Sequence, residues 1–279
     1  MKKIVLQTVC LLVIGLMASC SSGGSGVDKN IALGDGFVER GEYENAVDAY
    51  QVAVDVFSQQ TEAAPDDAKA WCNLGLAYRK QDDLSGLIGH FIREVLSDEK
   101  IKLLQDADTK AKAAYKKAIE LKPDYAEAYC GLGRSTYSNS LAGLSEALPP
   151  LKKAVELKPD YAEAWYAIAH ACYWDSGAKA TAEEAFEKAT GLNYADAWLL
   201  RGQLYMMKGK ATFPSAIEAF EKTIKLNPRC TAAYAGLGMI YENLKEDEKA
   251  EEVYSKALEI NPNYTYINSS VRKLQKTGE

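Results

Sequence analysis

The sequence predicts an all-α protein, built from about six helical hairpins and closed by a C-terminal capping helix. One observation is a repeat: residues 120–129 read ELKPDYAEAY, and residues 156–165, 36 positions later, read ELKPDYAEAW. A second is that large and small apolar residues recur three and four positions apart, which places them on one face of a helix. A third is that proline, which forces the preceding residue out of helical geometry, ends four of the repeats, at Pro123, Pro159, Pro228 and Pro262.

The first 26 residues are predicted to be a targeting segment that stays outside the fold. Lys2 and Lys3 precede an apolar run over residues 4–17, which is too short to span a bilayer as part of a domain. Residues 1–19 are therefore interpreted as a secretory signal peptide. Residues 20–26 begin with a cysteine and continue as a flexible Ser/Gly tether.

Ala18, Ser19 and Cys20 resemble the bacterial lipobox, in which cleavage precedes a cysteine that carries a diacylglycerol. The resemblance implies a lipoprotein held on a membrane by the acyl chains, palmitate among them, on Cys20. Ser21 in place of Asp implies, by resemblance to a bacterial sorting rule, an envelope protein on the outer membrane that faces the periplasm. The alternative is a plain signal peptide followed by an incidental cysteine.

Residues 27–264 are predicted to hold the hairpins. The clearest copy reads Tyr-x-x-Leu-Gly-x-x-Tyr over residues 234–241, then Ala-x-x-x-Tyr-x-x-Ala over residues 250–257. This pattern resembles the tetratricopeptide repeat. The resemblance implies a right-handed α-α superhelix with a concave inner face, followed by a cap at residues 265–279. The repeats are predicted at about 27–67, 68–125, 126–161, 162–194, 195–230 and 231–264.

Within each repeat, the first helix is predicted to bury one apolar face and to cross the second helix closely. In the fourth repeat the buried stripes are Trp165, Ile168 and Ala169 on the first helix and Ala182, Phe186 and Ala189 on the second. Small residues stand where a bulky side chain would hold the two helices apart. They are Gly133, Ala169, Gly202 and Gly238.

Three repeats depart from this pattern. The second holds about 24 extra residues, interpreted as an added helix that ends near Ser97. The third carries Pro149 and Pro150 early in its second helix, and a helix tolerates proline only within its first turn. The joint at the end of the fourth lacks a Pro-Asp pair before Tyr194 and is predicted to be tighter than its neighbours.

The sequence argues against catalysis, metal binding and nucleic-acid binding. A nucleophilic enzyme needs a nucleophile, a base and an acid together, yet the chain has two histidines and no GxSxG, HExxH or phosphate-binding glycine loop. The cysteines are widely spaced without a CxxC pair, so no metal site is predicted. A net charge of −6 offers no uniform basic face for nucleic acid. We therefore expect no enzyme and no cofactor.

Two kinds of polar residue are expected to be inert. Most carboxylates are expected on outward, solvated faces, among them Glu163, Glu183, Glu184 and Glu221. Cys72 and Cys130 occupy equivalent inner-face positions of consecutive repeats, which stack about 10 Å apart, beyond the roughly 7 Å Cα limit for a disulfide. We expect both to be free thiols.

The inner face of the first helices is predicted to be a partner-binding groove. Its residues are Arg79, Lys80, Arg134, Tyr137, Tyr166, His170, Tyr173, Trp174, Met206 and Met207. A basic end would meet an aromatic and methionine floor, which suits a protein ligand because aromatic and Arg side chains anchor interfaces and Met adapts to varied partners. The alternatives are that the aromatic residues pack against a neighbouring repeat, and that His170 senses pH near neutrality.

The sequence therefore predicts a non-catalytic, lipid-anchored scaffold. By its resemblance to envelope lipoproteins with such repeats, it would bind an envelope protein, as a peptide or helix, in the assembly of an envelope complex. One alternative is an adaptor that presents substrates to envelope hydrolases, with the added segment around residues 88–104 as a docking surface. Another is a glycan-binding lipoprotein of an uptake system.

Overall fold

A computed structural model describes residues 28–88, 92–137, 144–173, 179–263 and 267 of the 279-residue chain. Within these ranges all regular structure is helical and there is no strand, which confirms the predicted fold class. The α-helices are α1 (Lys29–Glu39), α2 (Tyr43–Ala63), α3 (Ala68–Ile88), α4 (Ile92–Val95), α5 (Asp98–Leu104), α6 (Ala107–Leu121), α7 (Ala126–Tyr137), α8 (Leu144–Leu157), α9 (Ala162–Tyr173), α10 (Lys179–Gly191), α11 (Ala195–Lys208), α12 (Phe213–Leu226), α13 (Thr231–Leu244) and α14 (Asp247–Ile260).

The chain divides into two compact units. The described part of the N-terminal unit lies within residues 28–36 and 43–194, and it contains the antiparallel pairs α3–α6, α7–α8 and α9–α10. The described part of the C-terminal unit comprises residues 37–42, 195–263 and 267, with the pairs α11–α12 and α13–α14. Inside each unit the first helices of consecutive repeats are also neighbours, as α3 is to α7 and α11 is to α13. This stacking is that of a helical-repeat solenoid.

Each hairpin closes where a small residue of the first helix meets a large side chain of the second. A Cβ atom on Gly133 would lie 2.5 Å from Leu151, and one on Gly202 would lie 2.8 Å from Phe220. One on Gly238 would lie 2.3 Å from the Tyr254 ring. These distances are shorter than side-chain contacts allow, so the helices can approach this closely only if the residue is glycine. The prediction for these three glycines is confirmed, and Ala169 is fully buried.

Two of the large rings are held from both sides. The ring of Tyr115 lies against Gly75 of its own repeat and against Gly131 of the next repeat. A Cβ atom on Gly75 would lie 2.9 Å from this ring, and one on Gly131 would lie 2.2 Å from it. Phe220 lies in the same way between Gly202 and Gly236. Tyr115 and Phe220 are almost wholly buried. A single ring therefore fixes both the crossing inside one hairpin and the spacing to the following hairpin.

The repeated decapeptide forms the joint between hairpins. In each copy a lysine ammonium lies over the ring of the tyrosine three residues later, at 4.9 Å for Lys122 and Tyr125 and at 4.8 Å for Lys158 and Tyr161. In each copy the tyrosine amide also donates to the lysine carbonyl, at 3.2 and 3.0 Å. The same residues thus make the same turn twice, which confirms that the segment joins an ending helix to a new one.

Two tryptophans of the first helices, Trp71 and Trp165, bond to these joints. Trp165 Nε1 donates to the Pro159 carbonyl at 2.8 Å, and Trp71 Nε1 donates to the Pro65 carbonyl at 2.9 Å. Trp165 is only half-buried, so its assignment to the fully buried stripe was wrong. Its indole instead ties the start of one hairpin to the end of the previous one.

The joint that lacks the Pro-Asp pair has a different geometry. Asn193 adopts a left-handed conformation with φ of 56°, and the Tyr194 amide donates to the Ala189 carbonyl at 3.2 Å. Asparagine tolerates this conformation better than most residues, and the six-residue hydrogen bond is typical of a helix that ends without proline. The chain therefore turns at residues 191–194 through a left-handed residue.

The extra residues of the second repeat form three elements instead of one added helix. They lengthen α3 as far as Ile88 and then form α4 and α5, with Ser97 Oγ accepting from the Lys100 amide at the start of α5. The segment folds onto α2, because the Ser97 amide donates to Glu44 at 3.2 Å and Lys100 forms an ion pair with Asp48. Three of its leucines are buried, at Leu84, Leu96 and Leu104.

The two consecutive prolines lie deeper in their helix than predicted. Pro149 and Pro150 are inside α8, which starts at Leu144, so they lie beyond its first turn. Proline cannot donate to the carbonyl four residues earlier, and here those carbonyls belong to Ser145 and Glu146, which are exposed to water. On the other face Ala147, Leu151 and Ala154 are fully buried, and this packing holds the helix together across the prolines.

The predicted cap at 265–279 lies outside the described residues except for Ile267. That residue is fully buried in a cluster with Ala250, Tyr254 and Ala257 of α14. The signal peptide and tether predicted at 1–26, and His90 of the added segment, also lie outside the described residues.

Two glycine substitutions test whether the crossings set the stability. Gly131→Ala places a methyl group 2.2 Å from the buried Tyr115 ring, and overpacking of this kind costs about 1–3 kcal/mol. Gly86→Ala in the same unit meets nothing within 4 Å and should raise the free energy of unfolding by about 0.5–1 kcal/mol, because alanine favours a helix over glycine. Urea unfolding followed by circular dichroism measures both. Equal effects of the two variants would contradict the role given to Gly131.

Candidate functional site

The predicted groove residues fall into both units. Arg79 and Lys80 lie on α3, Arg134 on α7, and Tyr166, His170 and Tyr173 on α9, all in the N-terminal unit. Met206 and Met207 lie on α11 of the C-terminal unit. Tyr137 ends α7 and Trp174 follows α9, but the side chain of Tyr137 and the whole of Trp174 are outside the described part of the structure.

Met206 is a core residue. It is 8% exposed and packs in a cluster with Leu199, Phe213 and Phe220. Its prediction as part of a groove floor is wrong, because its place on α11 faces the second helix of the same hairpin. Met207 is half-buried.

The three cations of the predicted basic end are all paired with carboxylates. Lys80 Nζ lies 2.7 and 2.9 Å from the two oxygens of Asp35, which also accepts from Tyr50 Oη at 2.7 Å. Arg79 Nη1 lies 2.6 Å from Asp83. The predicted basic end is therefore neutralised by carboxylates and is not open to a partner.

Arg134 pairs with a carboxylate from the next repeat. Its Nη1 forms an ion pair with Glu163 Oε1, and Glu163 Oε2 accepts from Tyr161 Oη at 3.3 Å. Burial alone would raise the pKa of Glu163, but the charges of Arg134, Arg79 and Lys80 hold it below its usual value. The interpretation of Glu163 as a solvated outward carboxylate is wrong, whereas Glu183, Glu184 and Glu221 are exposed as predicted.

In each ion pair the cation is more deeply buried than its partner. Arg79 is 5% exposed and Asp83 39%, while Arg134 is 16% exposed and Glu163 31%. Lys80 and Asp35 follow the same order, at 9% and 15%. A partner that approaches this face therefore meets carboxylate oxygens first and finds the basic groups beneath them.

Each of the two thiols of this face lies close to a joint tyrosine. Cys72 neighbours Tyr125 and Cys130 neighbours Tyr161, so the relation repeats from one hairpin to the next. Burial raises the pKa of both thiols to about 12, which leaves almost no thiolate at neutral pH. Cys72 and Cys130 are free thiols, as predicted. Neither has the environment of a nucleophile.

An aromatic group lies beside these ion pairs on α9. The Tyr166 ring stacks on His170 with centroids 6.0 Å apart and meets Tyr194 at 5.4 Å. Tyr173 lies edge-on to Phe186 at 6.2 Å, so one side of its ring packs within its own repeat. All but Phe186 are half-buried and keep part of their surface in water. We call Tyr166, His170, Tyr173 and Tyr194 the aromatic face.

His170 is held neutral. Burial, and to a smaller extent the positive charge of Arg134, lower its pKa to about 4. A histidine that titrates near pH 4 does not respond to changes around neutrality, so the idea of a sensor in that range is wrong. Its imidazole contributes a neutral ring to the aromatic face.

The described residues also bear on metals and membranes. Within the described ranges, no three His, Cys, Asp or Glu side chains are grouped as metal ligands. None of the described helices combines the length and the apolar character that crossing a bilayer requires.

Family models match four stretches of the chain. Models described as tetratricopeptide repeat match residues 31–86, 162–196 and 231–264, and one described as TPR repeat matches residues 105–140. Together they cover more than half of the sequence, and the matches over residues 162–196 and 231–264 each follow one hairpin. The chain belongs to the tetratricopeptide repeat family. The resemblance inferred from the sequence pattern is confirmed.

The proteins that resemble this tetratricopeptide repeat protein support its fold and nothing further. Uncharacterized protein ycf37 of Pyropia yezoensis is 31% identical over 83 residues, which are 30% of this chain and 46% of that protein. The match thus spans about half of that relative's length. The APC/C hetero-tetramer Cut9-Hcn1 has a chain that superposes with a TM-score of 0.60 at 17% identity, over 89% of this chain and 46% of that one. Yeast Tom70 superposes with a TM-score of 0.52 at 14% identity, over 99% of this chain and 71% of that one.

The ion pairs of the tetratricopeptide repeat protein are the part of the site that sequence reasoning missed. Asp35 and Lys80 are 45 residues apart, and Arg134 and Glu163 are 29 apart. The signal that could have found them is the register itself, because residues at matching places on adjacent first helices face each other. Asp83, one turn after Arg79, could have been found from its i,i+4 spacing alone.

The depressed pKa of His170 predicts how stability depends on pH. An unfolded histidine binds a proton near pH 6.5 and the folded one only near pH 4, so the unfolded state binds more protons between these values. The contribution of neutral His170 to the free energy of unfolding is fully present above pH 6.5. It is lost as the pH falls to 4, and the loss is at most about 3 kcal/mol.

Urea unfolding of the wild type and of His170→Gln at pH 7, 5.5 and 4.5 measures this contribution. Carboxylates affect both proteins alike, so the difference between the two curves isolates His170. The wild type should lose stability relative to the variant as the pH falls. Parallel curves would show that the histidine is not buried as described.

Proposed function

We propose that the protein is a non-catalytic scaffold that binds a segment of a partner protein on the first-helix face of its N-terminal unit. The observation that carries this proposal is the aromatic face. Tyr166 and Tyr173 keep part of their rings exposed on one helix, and contacts with His170, Tyr194 and Phe186 hold their positions. Half-exposed aromatic rings on a rigid support are the usual anchors of protein interfaces.

The ion pairs beside the aromatic face shape what the partner must offer. Their cations are already neutralised, so an acidic segment gains little from Arg79 or Arg134 and meets Asp83 and Glu163 first. A segment with apolar or aromatic side chains, and a lysine or arginine for the outer carboxylates, fits better. Such charges contribute to orientation and selectivity more than to affinity.

Catalysis is the weaker reading of the same residues. A nucleophilic mechanism needs a thiolate or an activated hydroxyl beside a base that works near neutral pH. The thiols of Cys72 and Cys130 have pKa values near 12, and His170 has one near 4. At pH 7 the thiols are protonated, and His170, although neutral, is too weak a base to activate them efficiently.

The partner test uses paired tyrosine variants. Tyr166→Ala combined with Tyr173→Ala should remove a protein that is crosslinked to the wild type in intact cells, because the anchoring rings are gone. Tyr166→Phe with Tyr173→Phe keeps the rings and should retain the partner. Mass spectrometry of the crosslinked products gives the comparison.

The matched control is Leu192→Ala with Leu244→Ala, which removes two exposed apolar side chains elsewhere. It should leave the crosslinked products unchanged. Circular dichroism of each variant checks that the helices persist. Loss of the partner in the leucine control, or its retention in the alanine pair, would contradict the assignment of the aromatic face. Capture of sugars without any protein would favour the glycan-binding alternative.

The cellular setting is a second part of the proposal. The protein is lipid-anchored through Cys20 in a bacterial envelope, on the outer membrane and facing the periplasm, where it serves the assembly of an envelope complex. What supports this is the order of Lys2 and Lys3, an apolar run, Ala-Ser-Cys and a Ser/Gly tether in the sequence. The tether leaves the solenoid free to reach partners near the membrane surface.

Fractionation tests the anchor. Cys20→Ser removes the acylation site and should move the protein from the membrane pellet to the soluble fraction. Cys10→Ser lies within the predicted signal peptide and should leave it in the pellet. Immunoblots of the two fractions give the readout. Retention of Cys20→Ser in the membrane would overturn lipid anchoring and would leave the binding proposal for the aromatic face intact.

A further inference from the structure

Charge is distributed very unevenly among the repeats. Residues 28–67 hold ten Asp and Glu against only Lys29 and Arg40. Residues 195–230 reverse this balance, with six Lys and Arg against three Asp and Glu, one of which, Asp196, is buried. An acidic protein thus carries one strongly acidic repeat and one basic repeat.

The acidic repeat shows its charge along one face of α2. Asp48, Val52, Asp55 and Glu62 are exposed at helical spacing, and we call them the acidic stripe. The stripe extends over about 21 Å at 1.5 Å per residue. Val52 is 47% exposed, and the exposed Leu33 of α1 belongs to the same hairpin. The stripe therefore combines carboxylates with exposed aliphatic surface.

Part of the acidic stripe already binds a lysine. Lys100 of α5 forms an ion pair with Asp48 and also donates to the Glu44 carbonyl at 3.4 Å. Asp55 and Glu62 have no such cation among the described residues; Asp55 accepts only from the Gln51 amide at 2.8 Å. Lys100 thus neutralises the carboxylate of Asp48 near the start of α2. The carboxylates of Asp55 and Glu62 are not neutralised by any cation of the described residues.

The basic repeat arranges its cations on aromatic rings. Along α11, Trp198, Arg201, Tyr205 and Lys208 recur at helical spacing, and Lys222 of α12 joins them; we call these five the basic stripe. Arg201 lies 5.9 Å from the Trp198 ring and 5.8 Å from the Tyr205 ring. Lys208 lies 5.4 Å from Tyr205, and Lys222 lies 5.9 Å from Trp198.

The lysines of the basic stripe lack carboxylate partners within the described ranges. Neither Lys208 nor Lys222 has a carboxylate within ion-pair distance there, although Glu218 and Glu221 lie on the same helix as Lys222. Stacking on the rings limits the freedom of the long side chains, so less entropy is lost when an anion binds. The stripe is a prepared surface for carboxylates that also offers aromatic carbon.

We propose that the acidic stripe of one copy binds the basic stripe of a second copy of this chain. Each stripe supplies what the other lacks: carboxylates and aliphatic side chains on α2, cations and aromatic rings on α11. The acidic stripe follows one face of α2, and the basic stripe follows α11 with Lys222 added from α12, so α2 of one copy can lie along α11 of the other. The net charge of −6 on each copy opposes this only weakly, because salt screens charges more than about 8 Å apart at physiological ionic strength.

The contact uses different surfaces on the two copies. Because each copy keeps one stripe of each kind unused, a third copy can add at either end. The expected product is a chain of copies whose length rises with protein concentration. A closed dimer is expected only when each copy can offer both stripes to the same partner.

Sedimentation velocity tests the proposal on the full chain carrying Cys20→Ser. The wild-type surfaces should self-associate, and the dissociation constant should rise at least about tenfold from about 50 mM to about 500 mM NaCl, because the contact is between exposed charges. Asp55→Lys with Glu62→Lys reverses the acidic stripe, and Lys208→Glu with Lys222→Glu reverses the basic stripe. Each pair should leave the chain monomeric.

Charge swapping makes the test specific. The chain that carries both reversals has complementary stripes again and should recover self-association. A mixture of the two singly reversed chains should form mixed complexes, because the reversed stripes attract each other. Glu183→Lys with Glu184→Lys changes the net charge as much as the acidic-stripe reversal does, on exposed residues elsewhere, and should associate like the wild type.

Three results would overturn the proposal. One is a wild-type chain that stays monomeric at every concentration in low salt. Another is self-association that persists in both reversed chains. The third is a reversed basic stripe that leaves self-association unchanged but abolishes sedimentation with vesicles containing anionic phospholipid, which would assign the stripe to a membrane surface.

Discussion

The structure depends on how closely two helices can approach at one point in every hairpin. A ring or a leucine from the second helix lies where a Cβ of the first would be, so only glycine permits the contact in most repeats. The contact is local, yet it sets the inclination of the whole hairpin because both helices are rigid. Where one ring touches glycines of two repeats, as Tyr115 does, it also sets the step from hairpin to hairpin. The places of all first-helix side chains, including the aromatic face, follow from these crossings.

The joints add a second constraint, and it reaches the candidate site. The lysine of the repeated decapeptide stacks on the tyrosine, and that tyrosine in turn lies close to a thiol on the first helix of the hairpin that the joint follows. One short segment therefore stops a helix, starts the next and seals the neighbouring inner position. Tyr161 also contacts Glu163, so the joint supports the ion pair with Arg134. The polar part of the site is thus positioned by backbone turns, which hold it more firmly than long side chains alone could.

The fold was predictable because its signals are local. Glycines at fixed offsets, prolines at the joints and apolar residues three and four apart identify hairpins within windows of about one repeat. The site was predictable only in part, since its ion pairs join residues from different repeats. The composition of the first helices α3 and α7 made Arg79, Lys80 and Arg134 look like a basic end, and the carboxylates that neutralise two of them come from other repeats. Met206 was misplaced because its helix position allows either face, and only packing against Phe213 and Phe220 decides. Pro149 was misplaced because tertiary burial of Leu151 overrides a local preference.

The rings that touch glycines on both sides also constrain how a gene of this kind can change in length. Tyr115 needs a glycine ahead of it and another behind it. The extra residues between Gly75 and Tyr115 leave both contacts in place because they form separate elements between the two helices, whereas an insertion or deletion within either helix would shift the ring away from its glycine. Copying or removing a whole repeat keeps both contacts. Unequal crossing-over between repeats therefore yields folded offspring more readily than random indels do. The two nearly identical decapeptides, 36 residues apart, are what such a duplication leaves in a coding sequence.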